Sequence, residues 1–255
     1  MAHHTALPPG AVAVIPLEGV PELEETDDLG SLLHAAAERA GGLEDGDVVV
    51  VAQKAVSKVE GRVVSLRDVE PSERARELAG PDGDARHVEV ILRESREVVR
   101  FRPPLVISET RHGFVCASAG VDASNAPRDE TVVLLPLDPD ASARRLRARL
   151  AELSGADVGV IVSDSFGRAW RQGTTDVALG VAGIAPLRDL RGTTDARGRE
   201  LRTTQIAVAD EIAGAAELVL GKALQVPAAI VRGVDVRGGG SAAELVMPRE
   251  RDLFR

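Results

Sequence analysis

The chain has 255 residues, enough for one large domain or two small ones with a buried core. Its formal net charge of −9 excludes a general nucleic-acid binder, and its single cysteine, Cys116, excludes an internal disulfide framework. Because it has neither a membrane-length apolar run nor a signal-peptide pattern, we expect a cytoplasmic protein with no membrane partner.

Strand-like and helix-like stretches alternate along the chain. The predicted strands are residues 11–16, 47–52, 62–66, 106–109, 113–117, 131–135, 157–163, 176–183 and 228–232. The predicted helices are residues 29–40, 71–79 with Pro71 in the first turn, the first part of 84–101, 138–154 and 203–220. The run DVVVVA at residues 47–52 is typical of a strand buried on both faces.

These elements predict a fold of the α+β (mixed α/β) class. No repeat, linker or composition break divides the chain, so we predict a single domain over residues 1–255 that can hold a smaller inserted lobe. Gly221-Lys222 lacks the surroundings of a phosphate-binding P-loop, and no dinucleotide or zinc motif is present. Any nucleotide site is therefore an unorthodox one.

Lysine and asparagine are rare, which marks two segments. Only three lysines occur, and two of them, Lys54 and Lys58, follow the buried strand in QKAVSKVEGR at residues 53–62. A lysine ammonium suits polyphosphate oxygens, whereas the alternative is an ordinary solvated turn. In GVDASN at residues 120–125, Asp122 can bind Mg²⁺ or Mn²⁺ and Asn125, the only asparagine, can fix a phosphate or base; the alternative is an Asx-turn.

A third segment, SDSFGRAWRQGTTD at residues 163–176, joins a carboxylate and a hydroxyl at a strand end. Asp164 and Ser165 form a sensible pair for Mg²⁺ held largely by phosphates, and Arg168 and Arg171 can grip an anion. The alternative is an N-capping aspartate followed by a surface loop, with Trp170 as a packing residue. The fourth segment, LVLGKALQ at 218–225, is most simply a helix C-terminus.

Together these segments resemble a known family, the coenzyme F420-0:γ-glutamyl ligases, over nearly the whole chain. Beside GVDASN, the matching stretches are VPEL at 20–23, VVVVAQKAVSKVEGRVV at 48–64, SDSFGRAWRQGTTDVALGVAG at 163–183, LRDLRGTTDARGRELR at 187–202, VADEIAGAAELVLGK at 208–222 and VPAAIVRG at 226–233. Each motif alone is weak, but the ordered set is specific.

The resemblance implies a ligase that uses GTP and two divalent cations, Mg²⁺ or Mn²⁺, with K⁺ also expected. It would add L-glutamate to coenzyme F420-0, or its dehydro form, through an acyl phosphate and then extend a γ-linked tail. The implied catalytic residues are Asp122, Asp164 and Lys58, and the implied metal ligands are Asp122, Asp164 and Ser165. The implied GTP contacts are Val20, Pro21, Glu22, Leu23, Gln53, Lys58, Asn125, Leu218, Val219, Leu220, Gly221, Lys222, Ala223, Leu224 and Gln225.

The family fold implies two lobes and an intertwined homodimer. Lys222 departs from an acidic residue in some relatives, which puts a metal role for that loop in doubt. The nitroreductase-like second domain of some relatives is absent, so we expect ligase activity without flavin chemistry. Two other functions stay open: a metal-dependent phosphatase or phosphotransferase, and a non-catalytic GTP-binding protein.

Overall fold

The computed structural model describes residues 7–221 and 225–254. Its strands are β1 (Ala13–Pro16), β2 (Val48–Ala52), β3 (Val63–Ser65), β4 (Ser95–Arg102), β5 (Leu105–Thr110), β6 (Val115–Ala117), β7 (Thr131–Val133), β8 (Gly159–Arg168), β9 (Arg171–Ala182), β10 (Arg188–Asp189), β11 (Gln205–Ile206) and β12 (Ala228–Arg232). Its α-helices are α1 (Leu29–Arg39), α2 (Gln53–Val59), α3 (Glu73–Ala79), α4 (Ala85–Glu94), α5 (Pro139–Ser154) and α6 (Val208–Glu217). This mixture confirms the predicted α+β class. Among the described helices, none has both the length and the apolar character needed to cross a membrane.

A five-stranded sheet forms the centre of the described structure, in the order β1-β12-β2-β8-β9. Strands β2 and β8 are parallel, and the other neighbours are antiparallel. Helices α1 and α5 cover one face of the sheet and α6 covers the other, which confirms that β2 is buried on both faces. Because β2 and β8 run in the same direction, their carboxyl ends meet at one edge, with Ala52 beside Ser163.

A third hydrophobic cluster is formed mainly by residues that lie between β3 and β7 in the sequence. Helices α3 and α4 pack there, and the cluster contains Leu78, Ile91, Val106 and Val132. Its strands form a three-stranded sheet, β4-β5-β6, and a pair, β3-β7, within the described residues. The pair β3-β7 and the loop after β6 bring residues 120–127 toward the end of β2. The predicted inserted lobe, the single domain and the dimer stay predictions.

Most predicted elements are confirmed, and three details are wrong. Helix α1 forms where it was predicted, and Asp28 caps it by accepting a hydrogen bond from the Ser31 amide. Helix α3 begins at Glu73 with Ser72 as its cap, so Pro71 lies before the helix and not in its first turn. The helix expected over 203–220 is shorter, because Gln205–Ile206 pairs with Arg188–Asp189 as a strand. The loop expected after Asp164 is instead the continuation of β8, which pairs with β9 as far as Arg168.

Close packing of α5 against β9 gives a stability prediction. A Cβ added at Gly180 would lie 2.2 Å from the backbone carbonyl of Pro139. Gly180→Ala should therefore lower the free energy of unfolding by about 1–3 kcal/mol in a urea titration. Gly167→Ala, on the same hairpin, meets nothing within 4 Å and is the matched control. Equal losses in the two variants would contradict this packing.

Candidate functional site

A cavity of about 670 Å³ lies at the edge where β2 and β8 end. Polar side chains at the carboxyl ends of such strands commonly face ligands. The predicted site residues that line the cavity are Val20, Pro21, Glu22, Leu23, Gln53, Lys58, Asn125, Asp164, Ser165, Leu220, Gly221 and Gln225. The structure thus brings together segments from all four candidate regions of the sequence, and their ligand contacts stay predictions.

Several predicted residues do not line this cavity. Leu218 is 84% exposed, and Val219 packs against the hydrophobic cluster of α6. Asp122 is not among the lining residues, but it accepts a hydrogen bond from Lys54, which lines the cavity. The predicted GTP contacts Lys222, Ala223 and Leu224 lie outside the described residues.

Lys54 holds the loop that contains Asp122. Its ammonium donates to Asp122 Oδ2 at 2.6 Å, to the Ser124 carbonyl at 2.7 Å and to Ser124 Oγ at 2.6 Å. An ammonium has three N–H donors, so these three acceptors satisfy it. Ser124 in turn donates its amide and hydroxyl to Asp122, which closes the arrangement. Lys54 therefore fixes the loop that carries Asn125 to the cavity.

The electrostatics keep Asp122 ionised. Burial acts to raise the pKa of Asp122, but hydrogen bonds from Lys54 and Ser124, with the charge of Lys54, outweigh it. The pKa of Asp122 is consequently lower than the ordinary value for aspartate. Asp122 therefore carries a negative charge at neutral pH.

The other lysine and the buried amide have different roles. Lys58, one helical turn after Lys54, pairs with Glu22 of the VPEL stretch at 2.5 Å. This single acceptor leaves donors of the Lys58 ammonium for other partners. Gln53 is 2% exposed and donates to Ser57 Oγ and to the Leu134 carbonyl, both at 2.7 Å. Gln53 thus anchors the start of α2 at the cavity.

Asp164 has the opposite electrostatics to Asp122. Burial raises its pKa to about 7, and the charges of Asp176 and Asp122 act in the same direction. The Ser165 amide and the charge of Lys54 lower the pKa but do not compensate. No Lys or Arg of the described residues forms an ion pair with Asp164. Lys54 acts on the pKa of both Asp122 and Asp164, and the charge of Asp122 acts on Asp164, so these chain-distant side chains lie in the same region of the structure.

A second polar network on β8 contains Ser163 and Ser165, which line the same cavity as Asp164. Their hydroxyls donate to the two Asp176 carboxylate oxygens at 2.8 and 2.7 Å. Glu217, at the end of α6, accepts the Asp176 amide at 2.9 Å. Because Ser165 gives its only proton to Asp176, its lone pairs stay free to accept or ligate.

The donor chemistry fits hard divalent cations. Mg²⁺ and Mn²⁺ prefer oxygen ligands, and Mg²⁺ in phosphate sites takes one or two carboxylates with the rest from phosphates and water. Asp122, Asp164 and Ser165 supply two carboxylates and a hydroxyl in this way. Within residues 7–221 and 225–254, no group of three or more His, Cys, Asp or Glu side chains is arranged to hold a metal alone. Phosphate oxygens would have to complete the coordination.

Part of the cavity wall is formed by residues that the sequence did not predict. Ser163, Thr174, Asp176 and Glu217 line the cavity but were not predicted as site residues. Asp176 was treated as the start of a strand and Glu217 as a helix residue, and nothing local marks their contact. The sequence offered one relevant signal: side chains alternate along a strand, which predicts that Ser163 lies on the same face as Ser165.

Comparisons with known proteins agree with the geometry. The family model described as F420-0:Gamma-glutamyl ligase matches residues 19–233. A protein of Methanothermobacter thermautotrophicus named Coenzyme F420:L-glutamate ligase is 45% identical over 250 residues, which is 96% of this chain and 99% of that protein. Proteins of the same name from Methanopyrus kandleri and Archaeoglobus fulgidus are 46% and 43% identical, over 98% and 96% of this chain and 99% and 96% of their own lengths.

Proposed function

This chain belongs to the F420-0:gamma-glutamyl ligase family, and on that basis we propose that it joins L-glutamate to coenzyme F420-0. The proposed acceptor is this molecule or its dehydro form, and repeated addition would extend a γ-linked tail. GTP is the proposed energy source, and GDP and phosphate are the proposed products.

The observation that supports this proposal is that Lys58, Asn125, Asp164 and Ser165 line one cavity of about 670 Å³, which Asp122 contacts through Lys54. Acyl activation by phosphoryl transfer depends on positioning and charge neutralisation rather than on a covalent nucleophile. The site has that character. Burial, with the nearby charge of Asp164, raises the pKa of Cys116 to about 12, so this thiol stays protonated and unreactive.

The proposed reaction has two steps. An acceptor carboxylate oxygen attacks the γ-phosphorus of GTP and GDP leaves, which gives an acyl phosphate. The amine of glutamate then attacks the acyl carbon, phosphate leaves with the electrons of the broken C–O bond, and a proton leaves the amine. Lys58 binds the phosphates of GTP through its remaining donors, and Asn125, held by the Lys54-bound loop, orients the nucleotide.

We propose Asp122, Asp164 and Ser165 as the residues that hold two divalent cations. Cations bound there neutralise the charge that develops on the transferred phosphoryl group. Asp176 positions Ser165 by accepting a hydrogen bond from its hydroxyl, and Lys54 positions Asp122. K⁺ is a further proposed requirement from family membership, tested by replacing K⁺ with Na⁺ in the assay.

One incubation separates this function from the two alternatives. Purified protein is mixed with GTP, Mn²⁺, L-glutamate and coenzyme F420-0, and the products are analysed by mass spectrometry and phosphate release. One added glutamate per GTP consumed supports the ligase. Phosphate release without glutamate addition would indicate a phosphatase or phosphotransferase. GTP binding without turnover would indicate a nucleotide-binding protein.

Lys58→Ala should chiefly raise the KM for GTP. The expected rise is about tenfold or more, because one charge-assisted hydrogen bond to phosphate is lost. Arg149→Ala removes a cation of α5 that pairs with Asp28 and Glu152 and does not line the cavity, so it is the control and should leave the KM for GTP unchanged. An unchanged KM in Lys58→Ala argues against a phosphate role for this lysine.

The homodimer is also a proposal, from the family fold. Sedimentation equilibrium of the full chain measures it directly, and a monomer at micromolar concentration contradicts it.

A further inference from the structure

The hairpin formed by β8 and β9 ends in two arginines that face each other. Arg168 and Arg171 are cross-strand partners, and both side chains are exposed. Like charges directly opposite on neighbouring strands are destabilising. The chain has a net charge of −9, so a general excess of basic residues does not explain why these two arginines face each other.

Neither arginine is neutralised by the described part of the chain. Arg168 donates to the Gln172 carbonyl at 3.1 Å, and no described carboxylate pairs with Arg168 or Arg171. Arg191, by contrast, pairs with Asp189. The two guanidinium groups at the hairpin tip are therefore available to an anion, which they can grip bidentately.

Trp170 joins this pair in the turn. Its φ of +56° is a backbone conformation that bulky residues rarely adopt, and such strain clusters at ligand sites. The indole is 87% exposed, and its centroid lies 4.7 Å from that of Phe254, which is 56% exposed. The tip thus displays a pair of exposed aromatic rings beside two cations.

The tip lies on the same strands as the cavity wall. Ser165 pairs with Asp176, and three residues further along β8 is Arg168. At the rise of an antiparallel strand, this separation is about 10 Å. A molecule with its reacting carboxylate beside Asp164 can therefore extend along the hairpin to its tip.

We propose that Arg168, Trp170 and Arg171 form the binding subsite for the acceptor substrate. The arginines bind its anionic oxygens away from the reacting carboxylate, and Trp170 stacks on its planar ring. This inference rests on the proposed function, and it assigns to the acceptor a surface distinct from the proposed GTP contacts.

Intrinsic fluorescence can report on this subsite directly, because Trp170 is the only tryptophan and the chain has no tyrosine. Coenzyme F420-0 is titrated into the metal-free, nucleotide-free protein, and its Kd is also measured by calorimetry. We expect quenching of Trp170 on binding. In the Arg168→Gln/Arg171→Gln variant, the Kd should rise about tenfold or more, with less dependence on NaCl concentration than in the wild type.

Three further variants sharpen the comparison. Arg168→Lys/Arg171→Lys should restore part of the affinity, since the charge is kept but the planar fork is lost. Arg197→Gln removes another exposed arginine without a described carboxylate partner and should leave the Kd unchanged. Trp170→Ala should weaken binding measured by calorimetry. The KM for GTP should stay within twofold of the wild type in every variant.

An unchanged Kd in the double glutamine variant overturns the inference. A shift in oligomeric state, with no change in acceptor Kd, would assign the tip to a contact with a second copy and overturns it equally. Failure of the proposed function gives a different result. If the wild-type protein binds coenzyme F420-0 with quenching of Trp170 but adds no glutamate, the subsite is supported and the ligase function is contradicted.

Discussion

Asp164→Asn should abolish glutamate addition without weakening the fold. Asparagine keeps the size of the side chain but removes the charge proposed to bind the cations. The expected loss of kcat is about 10²–10³-fold or more. Because burial disfavours the charged carboxylate and no described cation pairs with it, removal of the charge should leave the melting temperature of the metal-free protein equal or higher.

The pH dependence of this stability follows from the raised pKa. The folded-state pKa of Asp164, about 7, exceeds its ordinary value of 3.8, so below pH 3.8 the carboxyl is protonated in both states and its burial has no charge penalty. The free-energy cost of burying the charged carboxylate grows between pH 3.8 and about pH 7 and reaches its full value above pH 7. The gain in melting temperature of Asp164→Asn, measured in EDTA, should therefore be larger at pH 8 than at pH 5.

Asp210→Asn is the matched control. The pKa of Asp210 is also raised by burial, its carboxylate accepts a hydrogen bond from the Ala178 amide at 2.9 Å, and Asp210 does not line the cavity. This substitution should leave kcat unchanged. Normal turnover in Asp164→Asn, or an equal loss in Asp210→Asn, is incompatible with a cation role for Asp164.

Helices and strands whose surroundings stay the same from one end to the other could be predicted from the sequence. Strand β2 is buried on both faces and therefore reads as an uninterrupted β-branched run. Helix α5 has a continuous apolar stripe that contains Leu146 and Leu150, with Asp138 as its cap. In both cases the local pattern and the final packing agree, so the bounds were nearly right.

The β8-β9 hairpin could not be predicted in full because its environment changes along its length. The start of β8 and the end of β9 are buried and apolar, whereas residues 167–174 at the tip are exposed and mostly polar. Polarity of this kind is typical of a loop, so only the first part of β8 was predicted. Gln205–Ile206 was mistaken for helix because its pairing with Arg188–Asp189 is absent from any local window.

The candidate site shows the same division. Asp122, Asn125 and Asp164 were found because rare or charged residues followed strand ends, and the family resemblance joined them. Asp176 and Glu217 were missed because their contact spans 41 residues and depends on where α6 ends. Both lysines were predicted as candidate site residues because lysine is rare in the chain. The sequence did not show that the ammonium of Lys54 has three acceptors whereas that of Lys58 has one.

Lys54→Met should weaken divalent-cation binding even though it removes a positive charge. By Coulomb attraction alone, loss of the ammonium would favour a cation at Asp122. Asp122 is 37% exposed, however, so this attraction is screened, whereas the lost hydrogen bonds release the loop to Asn125. We expect Mn²⁺ affinity to fall about 10–100-fold, as for other residues that orient a metal ligand.

Hydrogen exchange tests the cause independently of activity. The Ser124 amide, which donates to Asp122 Oδ1, should exchange faster in metal-free Lys54→Met than in the wild type. Arg62→Met is the matched control, because Arg62 forms a similarly buried pair with Glu94 but does not line the cavity. It should lose stability without a change in Mn²⁺ affinity or in Ser124 exchange. Wild-type Mn²⁺ affinity in Lys54→Met would contradict the positioning role, whereas equal losses in both variants would assign the effect to general destabilisation.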